Sequence, residues 1–430
     1  MKIKTNHISI LFLSICFLGL IGATPVWSTT YYVDINNGTD TPTSGISADD
    51  AWKTLHYAVP LLQAGDILNV ATGTYSVAKG EEDKALTVTQ NNLTIQGTTG
   101  TVIDGDPGCL SEWGPAFNIS ASGVTLKHME ITGFTCDALG QNMVVSGGSN
   151  NRIESCDISN SGTGVQFTSG SGTANVVTDC NIHDHYSSSI TIEGGSPEIL
   201  QNTIYDNANG IYMDYGGSLT IRPKVINNLI YNTGSGVRNM EQGIWVYSYG
   251  VGTIAAQIFH NTIAGGQSTG IYVSQIEPDQ TETIDVKFNI ITNFVVGIEE
   301  IVTTSSILKF DYNAVVGNTT NYKSVISGPN DLSYDPLFVD AAGFDFHLAP
   351  TSPLLNLIRA EAGGVTRSAA PGRCGCTMWA AATEGSYFRT STMTVSTNWL
   401  CTKMPSVTAL IRMFTRSVVQ TGPPYYGLTA

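Results

Sequence analysis

The chain has 430 residues, of which 42% are hydrophobic and only 13% are charged, and 35 acidic side chains against 20 basic ones give a formal net charge of −15. This balance excludes collagen-like, coiled-coil and wholly disordered chains, and the acidity argues against nucleic acid as a partner, because nucleic acids are bound by basic surfaces. The 45 glycines and 18 tyrosines favour many tight turns between exposed strands.

The first 28 residues have the pattern of a secretory signal peptide. Two lysines precede an apolar stretch from Ile8 to Ala23, and this stretch is too short for a permanent membrane anchor. We therefore expect residues 1–28 to be removed and the protein to be secreted, to the extracellular space or the periplasm. No later stretch is apolar enough to cross a membrane, so no transmembrane anchor is expected.

Residues 29–84 are expected to form an N-terminal cap and entry strands. Ser47, with Asp50 three residues later, is typical of a helix N-terminus and predicts a short capping helix that Pro60 interrupts. Asp34, Asn36, Gly38 and Asp40 stand at alternate positions in one short run. It fits either a calcium loop or, more commonly, plain Asx turns.

A short phrase recurs through the middle of the chain: a small or amide residue, any residue, then an aliphatic one, followed by a turn and an apolar strand. Successive aliphatic positions lie 22 to 33 residues apart, and no amphipathic helix intervenes. The repeat therefore predicts stacked β coils. The phrases are Met129-Glu130-Ile131, Cys156-Asp157-Ile158, Cys180-Asn181-Ile182, Asn202-Thr203-Ile204, Asn228-Leu229-Ile230, Asn261-Thr262-Ile263, Asn289-Ile290-Ile291 and Asn313-Ala314-Val315.

Stacked coils about 4.8 Å apart place equivalent residues above one another. We expect the asparagines that open five of the phrases to exchange hydrogen bonds along the stack, as an architectural device. Cys156 and Cys180 hold the same place in consecutive coils and are either a disulfide or two stacked, buried thiols. Cys109 and Cys136 lie about one coil apart, which suits a disulfide. The asparagine column is Asn202, Asn228, Asn261, Asn289 and Asn313.

With these repeats the chain resembles the secreted right-handed parallel β-helix proteins of the pectate-lyase-like class. The segments 31–34, 51–55 and 64–70 resemble the entry segment of that class, and 335–338 with 346–353 resemble its exit segment. The resemblance implies an all-β fold, a single-stranded right-handed parallel β-helix (solenoid) over residues 85–358 with a short N-terminal capping helix. The class contains lyases, hydrolases, isomerases and binding proteins, so it implies a fold rather than a reaction. A monomer is expected.

Alternation in the strand after each turn glycine separates core residues from exterior ones. Two exterior columns follow, rich in aromatic and acidic residues. Sugar rings stack on aromatic side chains and their hydroxyls bond to carboxylates, so this face is predicted to be a saccharide groove; the alternative is packing under long loops. The columns are Gln166, Thr191, Tyr212, Trp245, Tyr272, Glu299 and Thr168, Glu193, Asp214, Tyr247, Ser274.

Glu193 and Asp214 are the predicted catalytic pair. One coil apart in one column, their carboxylates should lie about 5 Å from each other, which suits a nucleophile with a proton donor and also a shared Ca²⁺. No cofactor is identified, and calcium is the one cation that these acids could hold. The predicted substrate-binding residues are Tyr212, Trp245, Tyr247, Tyr272, Arg238, Glu241 and His183.

Two functions stay open for this fold. One is a polysaccharide-binding protein that cleaves its ligand as a glycoside hydrolase or a polysaccharide lyase, and the other is a non-catalytic adhesive or structural protein of the cell surface. The segment 222–224 only faintly resembles the arginine-proline segment of pectate lyases, and the triple-aspartate pattern of polygalacturonases is absent. An acidic body would repel polyuronates unless calcium bridged them, which favours a neutral glycan.

The composition changes abruptly after residue 358. From Glu361 to Ala430 there are six basic residues against two acidic ones, and the repeat does not continue. Related chains usually close with an Asp-Ile/Val-Gly-Ala-Tyr-Glu strand, and a shifted reading of the codons for residues 376–380 would restore its Val-Gly. We therefore hypothesise that residues 359–430 are an anomalous tail, frame-shifted or disordered. The alternative is a genuine, unrelated C-terminal segment.

Overall fold

The structure is a computed structural model that describes residues 28–81, 85–105, 114–134, 140–218, 220–234, 238–249, 252–275, 283–301 and 308–356. The signal peptide up to residue 27, the disulfide expected between Cys109 and Cys136, and the tail 359–430 lie outside the described residues. Within the described ranges, no helix combines the length and the hydropathy that a membrane span requires.

The chain winds repeatedly through three sheets, which we number in the order that one coil visits them. In each of these sheets neighbouring strands belong to successive coils and pair in parallel. Such a winding is the parallel β-helix that the repeats predict. The described strands of sheet 1 are Thr30–Val33, Ile67–Val70, Thr94–Gln96, Thr125–Lys127, Arg152–Glu154, Thr173–Thr178, Ser196–Leu200, Lys224–Ile226, Gln257–Phe259, Ile284–Lys287 and Leu308–Asp311.

The described strands of sheet 2 are Gly73–Tyr75, Thr101–Asp104, Glu130–Thr132, Asp157–Ser159, Asn181–His183, Thr203–Tyr205, Leu229–Tyr231, Thr262–Ala264, Ile290–Thr292 and Ala314–Val315. Those of sheet 3 are Leu86–Val88, Phe117–Ile119, Gln141–Val145, Thr163–Phe167, Ser188–Ile192, Asn209–Tyr215, Gln242–Ser248, Thr269–Gln275, Val296–Ile301 and Thr320–Lys323. Two small sheets add the parallel pair Thr220–Ile221 with Thr253–Ile254 and the antiparallel pair Phe338–Asp340 with Asp345–Leu348. One α-helix, Leu55–Ala58, and the short 3₁₀ helices Val59–Leu61, Val77–Lys79, Ala341–Gly343 and Pro353–Asn356 complete the described elements.

The capping helix is present but begins later than the sequence predicts. Its N-cap is Thr54, whose side chain accepts the N–H of Tyr57. Ser47 and Asp50 form an isolated antiparallel bridge instead, so the predicted helix start at Ser47 is wrong. The reason is a contact between residues that are distant in sequence. The carboxylate of Asp40 accepts hydrogen bonds from the N–H of Thr54 at 3.1 Å and from the hydroxyl of Thr54 at 2.8 Å, which holds Thr54 in place as the residue that starts the helix.

The loop from Asp34 to Asp40 uses its carboxylates on its own chain. Asp34 accepts the N–H of Asn36 at 2.9 Å and the side-chain amide of Asn37 at 2.9 Å. Burial raises the pKa of Asp34, but these donated hydrogen bonds outweigh it and hold the pKa below its ordinary value. The contacts fit the Asx-turn alternative rather than a calcium loop, which would need the same oxygens as ligands.

The asparagine ladder is confirmed in full. Each side-chain oxygen accepts the backbone N–H of the preceding ladder residue, at 3.0 Å from Asn202 to Asn228 and at 2.9 Å from Asn228 to Asn261. At one end Asn202 accepts the N–H of Cys180 at 3.0 Å, and at the other Asp331 accepts the N–H of Asn313 at 2.8 Å. The ladder therefore satisfies buried backbone groups at one corner of every coil along its length.

Cys156 and Cys180 continue the same corner as two buried free thiols. The N–H of Cys156 contacts the sulfur of Cys180 at 3.5 Å, and burial raises the pKa of the Cys180 thiol. Of the two alternatives for this pair, the structure has the stacked thiols.

Candidate functional site

The exterior of sheet 3 carries a column of aromatic rings. Tyr212 pairs in register with Trp245, and Trp245 with Tyr272, as alternation predicts. Ring centroids are 4.5 Å apart for Tyr212 and Trp245 and 5.9 Å apart for Trp245 and Tyr272, with planes inclined by 33° and 35°. The three rings pack against one another along the axis of the β-helix. This aromatic column therefore offers a ligand the edges of its rings and the outer faces of its two end rings, Tyr212 and Tyr272.

Glu193 and Asp214 lie at the same level of sheet 3 on adjacent coils. Ile192 pairs in register with Met213, and the two acidic residues follow directly. Neighbouring strands of a sheet are about 4.8 Å apart, so the two acidic residues follow each other at one strand spacing. Burial raises the pKa of both carboxyls, and the charge of Asp214 raises that of Glu193 further.

Two neighbouring side chains hold these carboxylates. The amide nitrogen of Gln166, one coil before Glu193, donates to its Oε1 at 2.6 Å. The hydroxyl of Tyr212 donates to Asp214, which lowers the pKa of Asp214 against the larger effect of burial. The next coil places Tyr247 in register with Asp214, and its ring stacks on that of Tyr249 at 5.3 Å.

A third exterior column, which sequence analysis missed, lies at the amino-terminal ends of the sheet 3 strands. Ser188 pairs with Asn209, Asn209 with Gln242, and Gln242 with Thr269. We call Ser188, Asn209 and Gln242 the amino-terminal column.

The strand alternation breaks beside this column at a glycine. A Cβ on Gly210 would lie 2.9 Å from Cγ2 of the buried Ile230, so Gly210 faces the core. Ile211 is also buried in the core. Two consecutive core-facing residues shift the alternation by one position, so Asn209 falls on the same side of the sheet as Tyr212. The available signal was a glycine before an aliphatic residue in five strands of sheet 3: Gly164, Gly210, Gly243, Gly270 and Gly297.

The amino-terminal column and the acidic pair share a further property. Among the described residues, the buried side-chain polar atoms without a hydrogen-bond partner all belong to sheet 3 or to the turn that enters it. Such atoms cost about 1–3 kcal/mol each when nothing satisfies them, so their concentration on one face marks a surface suited to a polar ligand. The atoms are Ser188 Oγ, Asn209 Oδ1, Asp214 Oδ1, Arg238 Nε and Gln242 Oε1.

Arg238 and Glu241 lie at the edge of this face, in the turn before the strand Gln242–Ser248. The guanidinium carbon of Arg238 is 3.7 Å from the centroid of the Tyr186 ring, and the N–H of Glu241 donates to the carbonyl of Ala208 at 2.8 Å. Both residues therefore lie at the amino-terminal edge of sheet 3.

The structure does not bring His183 to this face. His183 ends the strand Asn181–His183 of sheet 2, where its Nε2 is 3.0 Å from Asp157 and its Nδ1 is 2.7 Å from Asp184. Burial lowers its pKa, but the two carboxylates outweigh burial and raise it. The chain turns from sheet 2 to sheet 3 after His183. His183 and Glu193 therefore lie on different sheets although they are close in sequence. We therefore withdraw the expected role in substrate binding, because both ring nitrogens are held by carboxylates.

The described residues contain no group of three or more His, Cys, Asp or Glu side chains arranged to hold a metal ion. The acidic pair supplies two carboxylates, fewer protein ligands than calcium sites usually have. The chemistry that the described face can perform with its own residues is proton transfer, nucleophilic attack and hydrogen bonding.

Comparison with known proteins agrees with the architecture. A family model described as right handed beta helix region matches residues 79–230 and 115–275. The crystal structure of pectate lyase Pel9A is similar with a TM-score of 0.55 and 14% identity, covering 76% of this chain and 91% of that one. A complex of XylC with xylose is similar with a TM-score of 0.47 and 12% identity, covering 70% of each chain.

A lacto-N-biosidase of family GH136 from Eubacterium ramulus is similar with a TM-score of 0.45 and 10% identity, covering 76% of this chain and 68% of that one. No curated protein matches the chain in sequence. At such identities the likeness concerns the fold alone. The chain has the right-handed parallel β-helix fold.

Proposed function

We propose that the protein is an exported polysaccharide-cleaving enzyme whose substrate lies on the exterior of sheet 3. The observation that carries the proposal is the pair Glu193 and Asp214: two half-buried carboxyls with raised pKa values, on adjacent coils, beside the aromatic column. The lysines and the apolar stretch at the N-terminus support export to the extracellular space or the periplasm.

Residues one strand spacing of about 4.8 Å apart suit hydrolysis with retention of configuration, for which the two carboxyls lie about 5–5.5 Å apart. Glu193 protonates the glycosidic oxygen, because burial and the charge of Asp214 both favour its protonated form. Asp214 bonds to the anomeric carbon as the C–O bond breaks, and its Oδ1 has no partner among the described residues. Glu193 then takes a proton from water, whose oxygen displaces Asp214 and restores both groups.

The substrate-binding role falls to the residues around the pair. The end rings of the aromatic column, Tyr212 and Tyr272, offer an apolar surface to the C–H face of a sugar, and Tyr247 extends it beside Asp214. Arg238 and Glu241 border the face at the amino-terminal ends of the strands.

Elimination is the less suited reaction. A lyase needs a base at C5 of a uronate and a cation to neutralise the sugar carboxylate. Two basic residues lie at the described exterior of sheet 3: Arg238 at its edge, and Lys323, which pairs with Glu299 at 2.8 Å at the end of the sheet, three coils beyond Trp245 and four beyond Asp214. Pectate lyase Pel9A has the same fold, which supports a carbohydrate substrate on this architecture but does not transfer its reaction.

Incubating the purified protein with a panel of neutral and uronate polysaccharides, with and without calcium, tests the proposal. We expect new reducing ends and no ultraviolet absorbance of an unsaturated product. Absorbance without hydrolysis would indicate a lyase. Binding without any product would indicate a non-catalytic adhesive protein, and Glu193 and Asp214 would then have no catalytic role.

A further inference from the structure

The amino-terminal column combines partial or complete burial with unsatisfied polar atoms. Ser188 has 0% of its surface exposed, yet its Oγ has no hydrogen-bond partner among the described residues. Asn209 and Gln242, at the same level on the next two coils, are half-buried and also have an unpartnered side-chain oxygen. A single atom of this kind is unremarkable, but three in register form a row of polar groups whose hydrogen bonds the described residues leave unmade.

Arg238 encloses this column from one side. It precedes the strand Gln242–Ser248, yet its guanidinium lies over Tyr186, which precedes the strand Ser188–Ile192. Those strands are two coil spacings apart, about 9.6 Å. The coil of Asn209 lies between these two strands, so Arg238 extends over it. The Nε of Arg238 is buried and has no hydrogen-bond partner among the described residues. It therefore adds one unpaired donor to the three unpaired side-chain oxygens of the amino-terminal column.

The chemistry of the column matches sugar hydroxyls. A serine hydroxyl and a carboxamide each donate and accept, as a sugar hydroxyl does, and the Nε of Arg238 donates. A sugar carboxylate would fit poorly, because the carboxylates of Glu193 and Asp214 on the same face, and of Glu241 at its edge, would repel it. The unsatisfied atoms are also spread over three coils, as hydroxyls are spread along a sugar chain.

We propose that Ser188, Asn209, Gln242 and Arg238 form a subsite that binds the hydroxyls of an uncharged sugar residue, so that the substrate of this enzyme is a neutral polysaccharide. The proposal rests on the function proposed above and specifies its substrate class.

Isothermal titration calorimetry with defined oligosaccharides tests it. The probes are xylohexaose, cellohexaose, mannohexaose and hexagalacturonate, and the protein is the full chain with Glu193→Gln so that probes stay intact. We expect at least one neutral hexaose to bind more tightly than hexagalacturonate. Adding Asn209→Ala or Gln242→Ala should weaken its binding about fivefold to tenfold, the effect of one lost hydrogen bond.

The control is Gln257→Ala, which removes a half-buried amide from sheet 1 and should leave binding unchanged. Thermal denaturation of each variant separates a binding defect from misfolding. Tighter binding of hexagalacturonate, no binding of any neutral hexaose, or equal binding by the column variants would overturn the proposal. If a neutral hexaose binds through the column but the protein releases no reducing ends, the subsite stands and the proposed enzyme activity is refuted. If the protein cleaves polysaccharide and the column variants cleave it equally well, the enzyme activity stands and the subsite is refuted.

Discussion

The side-chain amide of Gln166 donates a 2.6 Å hydrogen bond to Oε1 of Glu193 across one coil of the helix. Burial raises the pKa of Glu193, this hydrogen bond lowers it, and the charge of Asp214 raises it again. The protonation of the proposed acid is therefore controlled from both neighbouring coils of sheet 3.

Replacing Gln166 with Met should shift the pH profile of polysaccharide cleavage. The change removes the donor that stabilises ionised Glu193, so the pKa of Glu193 rises and the acid stays protonated to higher pH. A hydrogen bond to a charged group contributes about 1.5–3 kcal/mol, so the alkaline limb of kcat/KM should move up by about one pH unit or more. Gln257→Met in sheet 1 serves as the control, and an unchanged alkaline limb would contradict the assignment of Glu193 as the acid.

Neutral isosteres of the acidic pair should separate catalysis from binding. Glu193→Gln and Asp214→Asn keep the shape of each side chain but remove the proton donor or the nucleophile, so kcat should fall about 10²–10⁴-fold or more. Glycan affinity should change much less. Glu198→Gln provides a matched control, because Glu198 pairs with Lys224 at 2.7 Å on sheet 1, away from the face. Full activity in either isostere would exclude that residue from the chemistry.

His183 should contribute stability that depends on pH. Its pKa in the folded protein is raised above the ordinary value of 6.5, because Asp157 and Asp184 outweigh burial. The stabilisation is therefore fully present below pH 6.5 and is lost as the pH rises through the folded pKa. In urea denaturation, His183→Gln should destabilise the protein more at about pH 5.5 than at about pH 9.

His347 offers the comparison for that experiment. It has the same kind of contact, Nδ1 to Asp345 at 2.5 Å, but its side chain is 90% exposed. Solvent screens such a pair, so His347→Gln should give the same stability as the parent at both pH values. An equal loss at the two pH values in His183→Gln would show that packing on Tyr205, rather than the ion pairs, accounts for the effect.

The sequence was informative where a pattern repeats from coil to coil. The asparagine ladder repeats over five coils, and core and exterior residues alternate in the strands of sheet 3, so the register of Tyr212 with Trp245 followed from alternation alone. The amino-terminal column was missed because Gly210 and Ile211 both face the core, which breaks the period of two. The helix start and the place of His183 depend on contacts between residues distant in sequence, such as Asp40 with Thr54, and local patterns do not record these.

Asn261 should be among the most sensitive positions of the fold. Its side chain is buried, and its oxygen accepts the backbone N–H of Asn228 at 2.9 Å while its nitrogen donates to the carbonyl of Val225 at 2.8 Å and to Asn289 at 3.0 Å. Asn261→Ala leaves these buried groups unpaired, so the free energy of unfolding should fall by about 3–5 kcal/mol in urea titrations. Gln267→Ala, an exposed amide in the turn that follows, should cost less than about 0.5 kcal/mol. A loss below about 1 kcal/mol for Asn261→Ala would mean that neighbouring coils satisfy their corner groups without the ladder.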